Sequence, residues 1–443
     1  MNYVSFYQNR LLGYDFLQNI FYERPFKGVT KPTYKVGILI DSAFKFPPLT
    51  GITYRLYQLS NVLINHGHEV CWFICNRNFK SIEEIQSLGS SQIKIHLIPE
   101  DYFYDLTYMS AILLHEKIDI LQYEISQTFF SIGMELKRRT NIPCVLENHD
   151  IEFDLQRTLD GSSDTDLLKF TQGLACQVAD AVVCMTQTDQ QLLINELRID
   201  PRKIILAPNG IQTTYESPKF EDKDDILVFL GNFFYKPNLE SLEFFMDQVF
   251  PDLVVACPNV HVRALGMMPE ETRQKYNLVK NFVATGPLTE EQLLTELNHA
   301  KVGMCTVLSG SGMKVKILTY SANGLPIITT TIGASGYEKI SSLIITDGTA
   351  QDILNHTIML LENSDLAEQV GQSNLCDVRK HFLWDQIALK MKEAYDMAFS
   401  TIHTSYKELL PPKPRWLSEK RHEKIEFNQH VVLHNNHLIQ VRP

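Results

Sequence analysis

Residues 36–75 read VGILIDSAFKFPPLTGITYRLYQLSNVLINHGHEVCWFIC. An apolar run over 36–40 gives way to a polar, proline-containing segment over 41–51, apolar residues recur at helical spacing over 52–65, and a second apolar run covers 70–75 after the turn HGHE. Strand, loop, helix and strand in that order form a βαβ unit, because a strand that is apolar throughout is covered on both faces and pairs in parallel through a crossover helix.

The same alternation continues outward. Strands are predicted over 94–98, 118–123, 143–147, 181–185 and 203–207, with helices over 131–140 and 188–197. Pro208, Asn209 and Gly210 form a turn, and the charged run 216–225 reads as a linker. The pattern then restarts: a strand over 226–230, a helix over 239–250, strands over 261–265 and 282–284, a helix over 290–300, and strands over 302–306, 327–331 and 343–345. Helices over 351–363 and 365–379 follow, and Phe382, Trp384, Ile387, Leu389, Met391 and Ala394 extend a helical spacing that would return to the first domain. The predicted organisation is an extension over 1–33, a Rossmann-like domain over 34–215, a second over 216–384, a returning helix over 385–400, and a tail over 401–443 with a hairpin about Asn435 and Asn436.

Composition narrows the class. With 443 residues, 44% hydrophobic and 21% charged, the chain fits two globular domains. A net charge of -11 argues against a general nucleic-acid binder, which needs a clustered basic excess. The 8 cysteines lie mostly in apolar runs and read as buried thiols in a reducing compartment. No apolar run approaches the ~18 to 20 residues of a membrane span, and the N-terminus lacks the pattern of a secretory signal. The expected location is therefore cytoplasmic, with peripheral attachment to the inner face of a membrane left open. The aromatic segment 1–26 and the basic residues Lys413, Arg415, Lys420, Arg421 and Lys424 are where a membrane or a protein partner would dock. His430, His434 and His437 have no accompanying carboxylate, so no metal is expected there.

Residues 310–336, GSGMKVKILTYSANGLPIITTTIGASG, carry the strongest functional signal. Gly310, Ser311 and Gly312 form a tight turn predicted to open a short helix that ends at Gly324 and Pro326. The N–H groups of a first helical turn lack intrahelical partners and carry the positive end of the dipole, which suits a phosphate. Lys314 and Lys316 add formal charge nearby.

Six segments in register now resemble the GT-B glycosyltransferases of the family 4 type, the "glycosyl transferases group 1": residues 36–70, LENHDIEFDL (146–155), ADAVVCMTQTDQQLL (179–193), ILAPNGI (205–211), LGNFFYKPNLESLEFF (230–245) and residues 310–337. The resemblance covers about residues 34–398. It implies an α/β fold of two doubly wound Rossmann-like domains facing a central cleft, with ligands at the carboxyl ends of the strands. The implied donor is a nucleotide diphosphate-sugar, with its diphosphate over Ser309, Gly310, Ser311, Gly312 and Met313. Lys236 stands at the family's basic phosphate ligand, Lys316 supports it, and Gly231 and Asn232 share its loop, with Asn232 where the family has an arginine. Gly286, Pro287 and Leu288 match the loop that contacts the base, His149 matches the histidine that holds a hydroxyl of the transferred sugar, and Gly51 approaches donor or acceptor.

The implied reaction retains configuration, moving the sugar to a glycan, lipid-linked or small-molecule acceptor. It uses no metal and no other cofactor, because basic residues and helix dipoles meet the leaving diphosphate. Acceptor contacts are expected from loops such as 41–51 and 101–110. The family commonly carries two glutamates eight residues apart, and these positions hold Ser311 and Thr319. Threonine is shorter and neutral, so ribose recognition is expected to weaken by ~1 to 3 kcal/mol. The alternatives are a catalytically silent GT-B module that binds a partner or glycan, and a sugar-nucleotide epimerase on the same fold.

Overall fold

A computed structural model describes residues 30–41, 51–77, 92–160, 165–212, 220–400, 430–434 and 437–441. The aromatic N-terminal segment, most of the loop before Gly51 and the basic tail lie outside the described residues. The chain divides into two compact units, Met1–Ala207 with Ile387–Pro443, and Pro208–Gln386.

The first unit is built on strands β1 (Lys35–Ile40), β2 (Glu69–Asn76), β3 (Lys94–Pro99), β4 (Ile120–Tyr123), β5 (Cys144–Asn148), β6 (Ala181–Cys184) and β7 (Ile204–Leu206). They pair in parallel in the order β3-β2-β1-β4-β5-β6-β7. β4, β5 and β6 are buried throughout, which is why their sequences are mostly apolar rather than alternating.

The second unit carries β8 (Ile226–Leu230), β9 (His261–Leu265), β10 (Phe282–Gly286), β11 (Val302–Cys305), β12 (Ile327–Thr330) and β13 (Ile344–Thr346), all parallel, in the order β10-β9-β8-β11-β12-β13. Both sheets therefore reverse direction of growth beside their first strand, between β1 and β4 and between β8 and β11. In open α/β sheets the crevice at such a reversal is the ligand position.

The hairpin predicted about Asn435 and Asn436 is present as β14 (His430–His434) and β15 (His437–Val441), paired antiparallel. β14 also pairs antiparallel with β3, Val432 opposite His96, so the hairpin covers a sheet edge. An open edge strand is a template for aggregation, and this pairing covers the edge of β3 and leaves the short β15 at the end of the sheet.

Three sequence readings change. Residues 101–110, expected as a loop, form the helices Glu100–Phe103 and Leu106–His115. The second is started by Asp105, whose carboxylate accepts from the Thr107 and Tyr108 N–H groups. The run 216–225 is not wholly a linker, since Phe220 is buried in the second core and Lys223 donates to the carbonyls of Leu297 and Asn298. The helix expected over 239–250 begins three residues earlier, at Lys236, because Pro237 suits a first helical turn, where its missing N–H costs nothing.

Candidate functional site

In the second unit the carboxyl ends of β8, β9 and β10 converge on three glycines with positive φ. Gly231 has φ 154°, Gly266 133° and Gly286 74°. The Gly231 N–H donates to Leu265 O and the Gly266 N–H to Gly286 O. A Cβ on Gly266 would lie 2.1 Å from the Gly231 carbonyl oxygen, so no side chain fits and the backbone itself forms the surface. Beside it, Pro287 is exposed and Leu288 partly so, and Thr289 caps the helix Glu290–His299.

The segment 231–238, a loop running into a helix, carries Asn232 and Lys236 and lies beside several of the other residues expected to bind the donor. Asn232 is exposed, its Oδ1 accepts from the Phe234 N–H, and its carbonyl accepts from Asn238 Nδ2. The Lys316 ammonium donates to Asn238 Oδ1 at 2.8 Å and lies 3.3 Å from where a Gly231 Cβ would be. Burial pushes the Lys316 ammonium below the usual lysine range. Lys236 is the first residue of its helix rather than a loop residue, with an exposed side chain 3.6 Å from Glu240. Glu240 in turn lies 3.5 Å from Ser309 Oγ, and the Tyr235 hydroxyl lies 3.0 Å from where a Gly310 Cβ would be. Thus Lys236, Ser309, Gly310, Gly231, Asn232 and Lys316 belong to one neighbourhood at the β8–β11 reversal.

The glycine turn differs from its sequence reading. Gly310 and Gly312 have φ 96° and 69°, but the helix begins only at Lys316 and ends at Ala322. Between them Lys314 turns back and donates to the carbonyls of Ser311 and Gly312, so its charge serves the loop. Met313 is buried, and its sulfur accepts from the Asn209 N–H. Thr319 is partly exposed on the helix, and its carbonyl accepts from Asn323. The helix is seated by Tyr320, whose hydroxyl donates to Val228 O and accepts from the Leu230 N–H.

In the first unit Gly51 is exposed at the start of the helix Gly51–Asn65. His149 directly follows β5, and its Nε2 lies 3.0 Å from Glu124 Oε2. Glu124 directly follows β4, at the β1–β4 reversal. Gln122 donates to both Glu124 Oε1 at 2.7 Å and Glu147 Oε2 at 3.2 Å, and accepts from the Tyr395 hydroxyl at 2.6 Å. Arg55 Nε donates to Glu147 Oε1 at 2.9 Å, and the same guanidinium donates to the Ala207 carbonyl.

The side chains of this network are buried except for that of His149, which is 9% exposed. Burial alone would raise the Glu124 pKa, but the hydrogen bond and charge of His149 and the Gln122 amide outweigh it and hold the carboxyl below the usual range. Burial pushes Glu147 upward against the Arg55 guanidinium, and the Glu124 carboxylate adds to that. The ligand atoms of Glu124, Glu147 and His149 lie within 4.8 Å of one another, a spacing that could hold a metal ion. Each carboxylate oxygen of Glu124 and Glu147 nevertheless already accepts from Arg55, Gln122 or the imidazole, so the two charges are met without a cation.

Sequence reasoning missed Glu124, Glu147, Arg55, Gln122, Tyr395 and Asn238. A signal was available for two of them: Gln122 and Glu147 interrupt apolar central strands, and a polar group buried there must be paired.

The family described as "Glycosyltransferase Family 4" matches residues 49–215, and "Glycosyl transferases group 1" matches residues 224–363. The chain belongs to the GT-B glycosyltransferases of the family 4 type. It is 21% identical over 384 residues to a subunit of phosphatidylinositol N-acetylglucosaminyltransferase from Homo sapiens, covering 81% of this chain and 76% of that one. The Arabidopsis thaliana protein of the same name is 20% identical, covering 85% of each. Among solved structures, sucrose-phosphate synthase from Thermosynechococcus elongatus superposes with a TM-score of 0.64 at 15% identity, over 82% of this chain and 98% of that chain. Anabaena HepE in complex with UDP and glucose gives 0.60 at 13% identity, over 81% and 98%. These likenesses bear out the two Rossmann-like domains of the GT-B fold. No helix among the described residues is long and apolar enough to cross a membrane.

Proposed function

We propose that this glycosyltransferase moves an N-acetylhexosamine-class sugar from a uridine diphosphate donor to a hydroxyl of a lipid-anchored acceptor, with retention of configuration. The observation that carries the reading is the cationic, glycine-lined surface at the β8–β11 reversal, where Lys316 is held by Asn238 and Lys236 projects into solvent. Uridine is taken from HepE, which was solved with UDP, and the sugar and acceptor from the names of the human and Arabidopsis relatives.

On this reading the diphosphate lies against Gly310, Lys236 and Lys316. As the bond from the anomeric carbon to the diphosphate oxygen breaks, negative charge grows on the leaving group and both ammonium groups stabilise it. The acceptor hydroxyl attacks from the face the diphosphate leaves, and its proton passes to the leaving phosphate oxygen. Gly231 and Gly286 give the donor close access to backbone, and His149 holds a hydroxyl of the transferred sugar. No metal or other cofactor takes part. A lipid-anchored acceptor requires the protein to work at a membrane surface, and the terminal segments 1–33 and 401–443 supply the attachment.

A silent, binding-only role is the second reading, and Thr319 favours it, because a neutral threonine stands where a charged ribose ligand is expected. One experiment separates the two. The purified protein is titrated calorimetrically with UDP, GDP and ADP, and then incubated with UDP-N-acetylglucosamine and vesicles containing phosphatidylinositol. Selective UDP binding with glycolipid formation is expected. No nucleotide binding by the native chain, with binding gained in Thr319→Glu, refutes the enzyme reading in favour of the silent module.

A further inference from the structure

The arrangement around β4 and β5 assigns a role to a residue that the family resemblance leaves unassigned. We propose that Glu124 is a positioning residue that fixes His149 with its proton on Nε2 and so presents Nδ1 to the sugar. The inference rests on the glycosyltransferase reading for what Nδ1 meets, but its geometry stands on the first unit alone.

Glu124 Oε2 lies 3.0 Å from His149 Nε2, and the other oxygen, Oε1, accepts from Gln122 at 2.7 Å. A carboxylate without a proton can only accept, so the shared hydrogen must sit on Nε2. Burial works against the ionised state of Glu124, and the Gln122 amide and the Arg55 guanidinium favour it without requiring a charge on His149. With Nε2 engaged, Nδ1 is the ring atom left to meet a ligand, on a side chain that is 9% exposed.

The pair is also held from behind. Gln122 is itself oriented by the Tyr395 hydroxyl, and its amide bridges Glu124 to Glu147, which Arg55 holds in turn. Arg55 lies one turn into the helix that begins at Gly51, and Tyr395 lies on the helix Trp384–Ser400. Two helices far apart in sequence therefore set the rotamer of one carboxylate. A His149 needed only for packing would have no use for a buried anion, whose desolvation is costly. A histidine that must hold one tautomer does.

The substitution Glu124→Gln tests this sharply. Gln122 and His149 both donate to position 124, and a glutamine there keeps one carbonyl oxygen and replaces the other oxygen with an NH2 donor. If Gln122 keeps the carbonyl, the new NH2 faces His149, which relieves the clash by moving its proton to Nδ1. Histidine-selective 15N labelling of the full chain reads the tautomer directly, with the His149 signals assigned by their loss in His149→Gln.

The expected result is an Nε2–H tautomer in the native protein and an Nδ1–H tautomer in Glu124→Gln. Transfer activity falls in kcat by roughly 10- to 100-fold, the worth of one charge-assisted hydrogen bond, with little change in KM for the acceptor. Glu124→Asp keeps the charge and restores the Nε2–H tautomer with part of the rate, which a purely structural role does not predict and which also serves if Glu124→Gln folds poorly. An Nδ1–H tautomer in the native protein, or the same tautomer in native and Glu124→Gln, overturns the assignment. The expected tautomers without any sugar transfer overturn the glycosyltransferase reading, and with it the catalytic use of Nδ1.

Discussion

Replacing Lys236 with alanine separates chemistry from stability, because the structure makes the two costs very unequal. The Lys236 side chain is 64% exposed and its ion-pair partner Glu240 is 48% exposed, with 3.6 Å between them. Exposed i,i+4 pairs contribute ~0.3 to 0.5 kcal/mol, and a lysine placed N-terminal to its glutamate is the weaker orientation. Lys236 also sits at the first position of its helix, where a cation opposes the dipole by ~0.3 to 1 kcal/mol, so its removal recovers some stability. The two terms nearly cancel, and the folding free energy of Lys236→Ala should stay within about 0.5 kcal/mol of the native value. Loss of a charge that meets the departing diphosphate costs far more, ~2.7 to 4 kcal/mol, or about 100- to 1,000-fold in turnover. The assay pairs UDP release under saturating donor and acceptor with the urea midpoint of the same sample. Turnover within about threefold of native would refute a role for Lys236 at the leaving group. A midpoint that falls enough to explain the lost rate would refute the stability argument.

Other perturbations have signs that the structure decides. Gly266→Ala places a Cβ 2.1 Å from a backbone oxygen at φ 133°, so it should destabilise the protein by at least about 2 kcal/mol and weaken nucleotide binding, as read by urea titration and calorimetry. Arg55→Ala leaves Glu147 buried without its ion partner and should cost ~3 to 5 kcal/mol, whereas Arg55→Met with Glu147→Met should cost much less, since both charges leave together. The buried hydroxyls of Tyr123, Tyr320, Tyr337 and Tyr395 are pushed well above the ordinary value of 10.0, chiefly by burial. Their stabilisation is fully present below that unfolded value and is lost as pH rises past it. Lys203 and Lys223, pushed down to about 8 by burial, work the other way, since the folded state sheds their protons first and gains stability as pH rises from about 8 toward the unfolded value of 10.5. The buried thiols of Cys71, Cys176, Cys184 and Cys305 are likewise pushed above 9.0 by burial and lose their stabilisation as pH rises past it. The urea midpoint should therefore change little from about pH 8 to 9 and fall from about pH 9 to 11, and a midpoint that rises across that upper range would contradict this balance.

The elements were legible where pattern is local. β8 and β9 fall at the predicted residues, because β8 is an apolar run and β9 alternates polar with apolar residues before an apolar end, and each is closed by glycine. The helices Glu100–Phe103 and Leu106–His115 were read as a loop because acidic and aromatic residues there mask the apolar spacing, although Asp105 is an ordinary helix cap. Residues 313–315 were read as helix because nothing in the sequence says that Lys314 will fold back on Ser311. What could not be read is which distant residues meet. β14 reaches β3 across more than 300 positions, and Tyr395 reaches Gln122 across 273. The resemblance names Lys236, Lys316 and His149, and the strand order explains why two of them lie at the β8–β11 reversal. It offers no name for Glu124, because that residue matters through what β5 and two distant helices bring to it.

Lys316 supplies the strongest physical reason to expect an anion on the second unit. Its ammonium is desolvated, with its pKa pushed down by burial, and the partner the described residues supply is the neutral amide oxygen of Asn238. A partly buried cation held by one neutral acceptor is a net cost to folding unless a ligand compensates it. A chain with no use for phosphate would gain stability from an apolar residue of similar length, and such exchanges are readily available to a protein. Lys316→Met should therefore raise the urea midpoint while reducing UDP affinity by more than about tenfold, a trade of stability for binding. If Lys316→Met lowers both, the ammonium serves the fold through Asn238. If it lowers neither, the diphosphate does not lie at the β8–β11 reversal, and the donor site must be sought elsewhere on the chain.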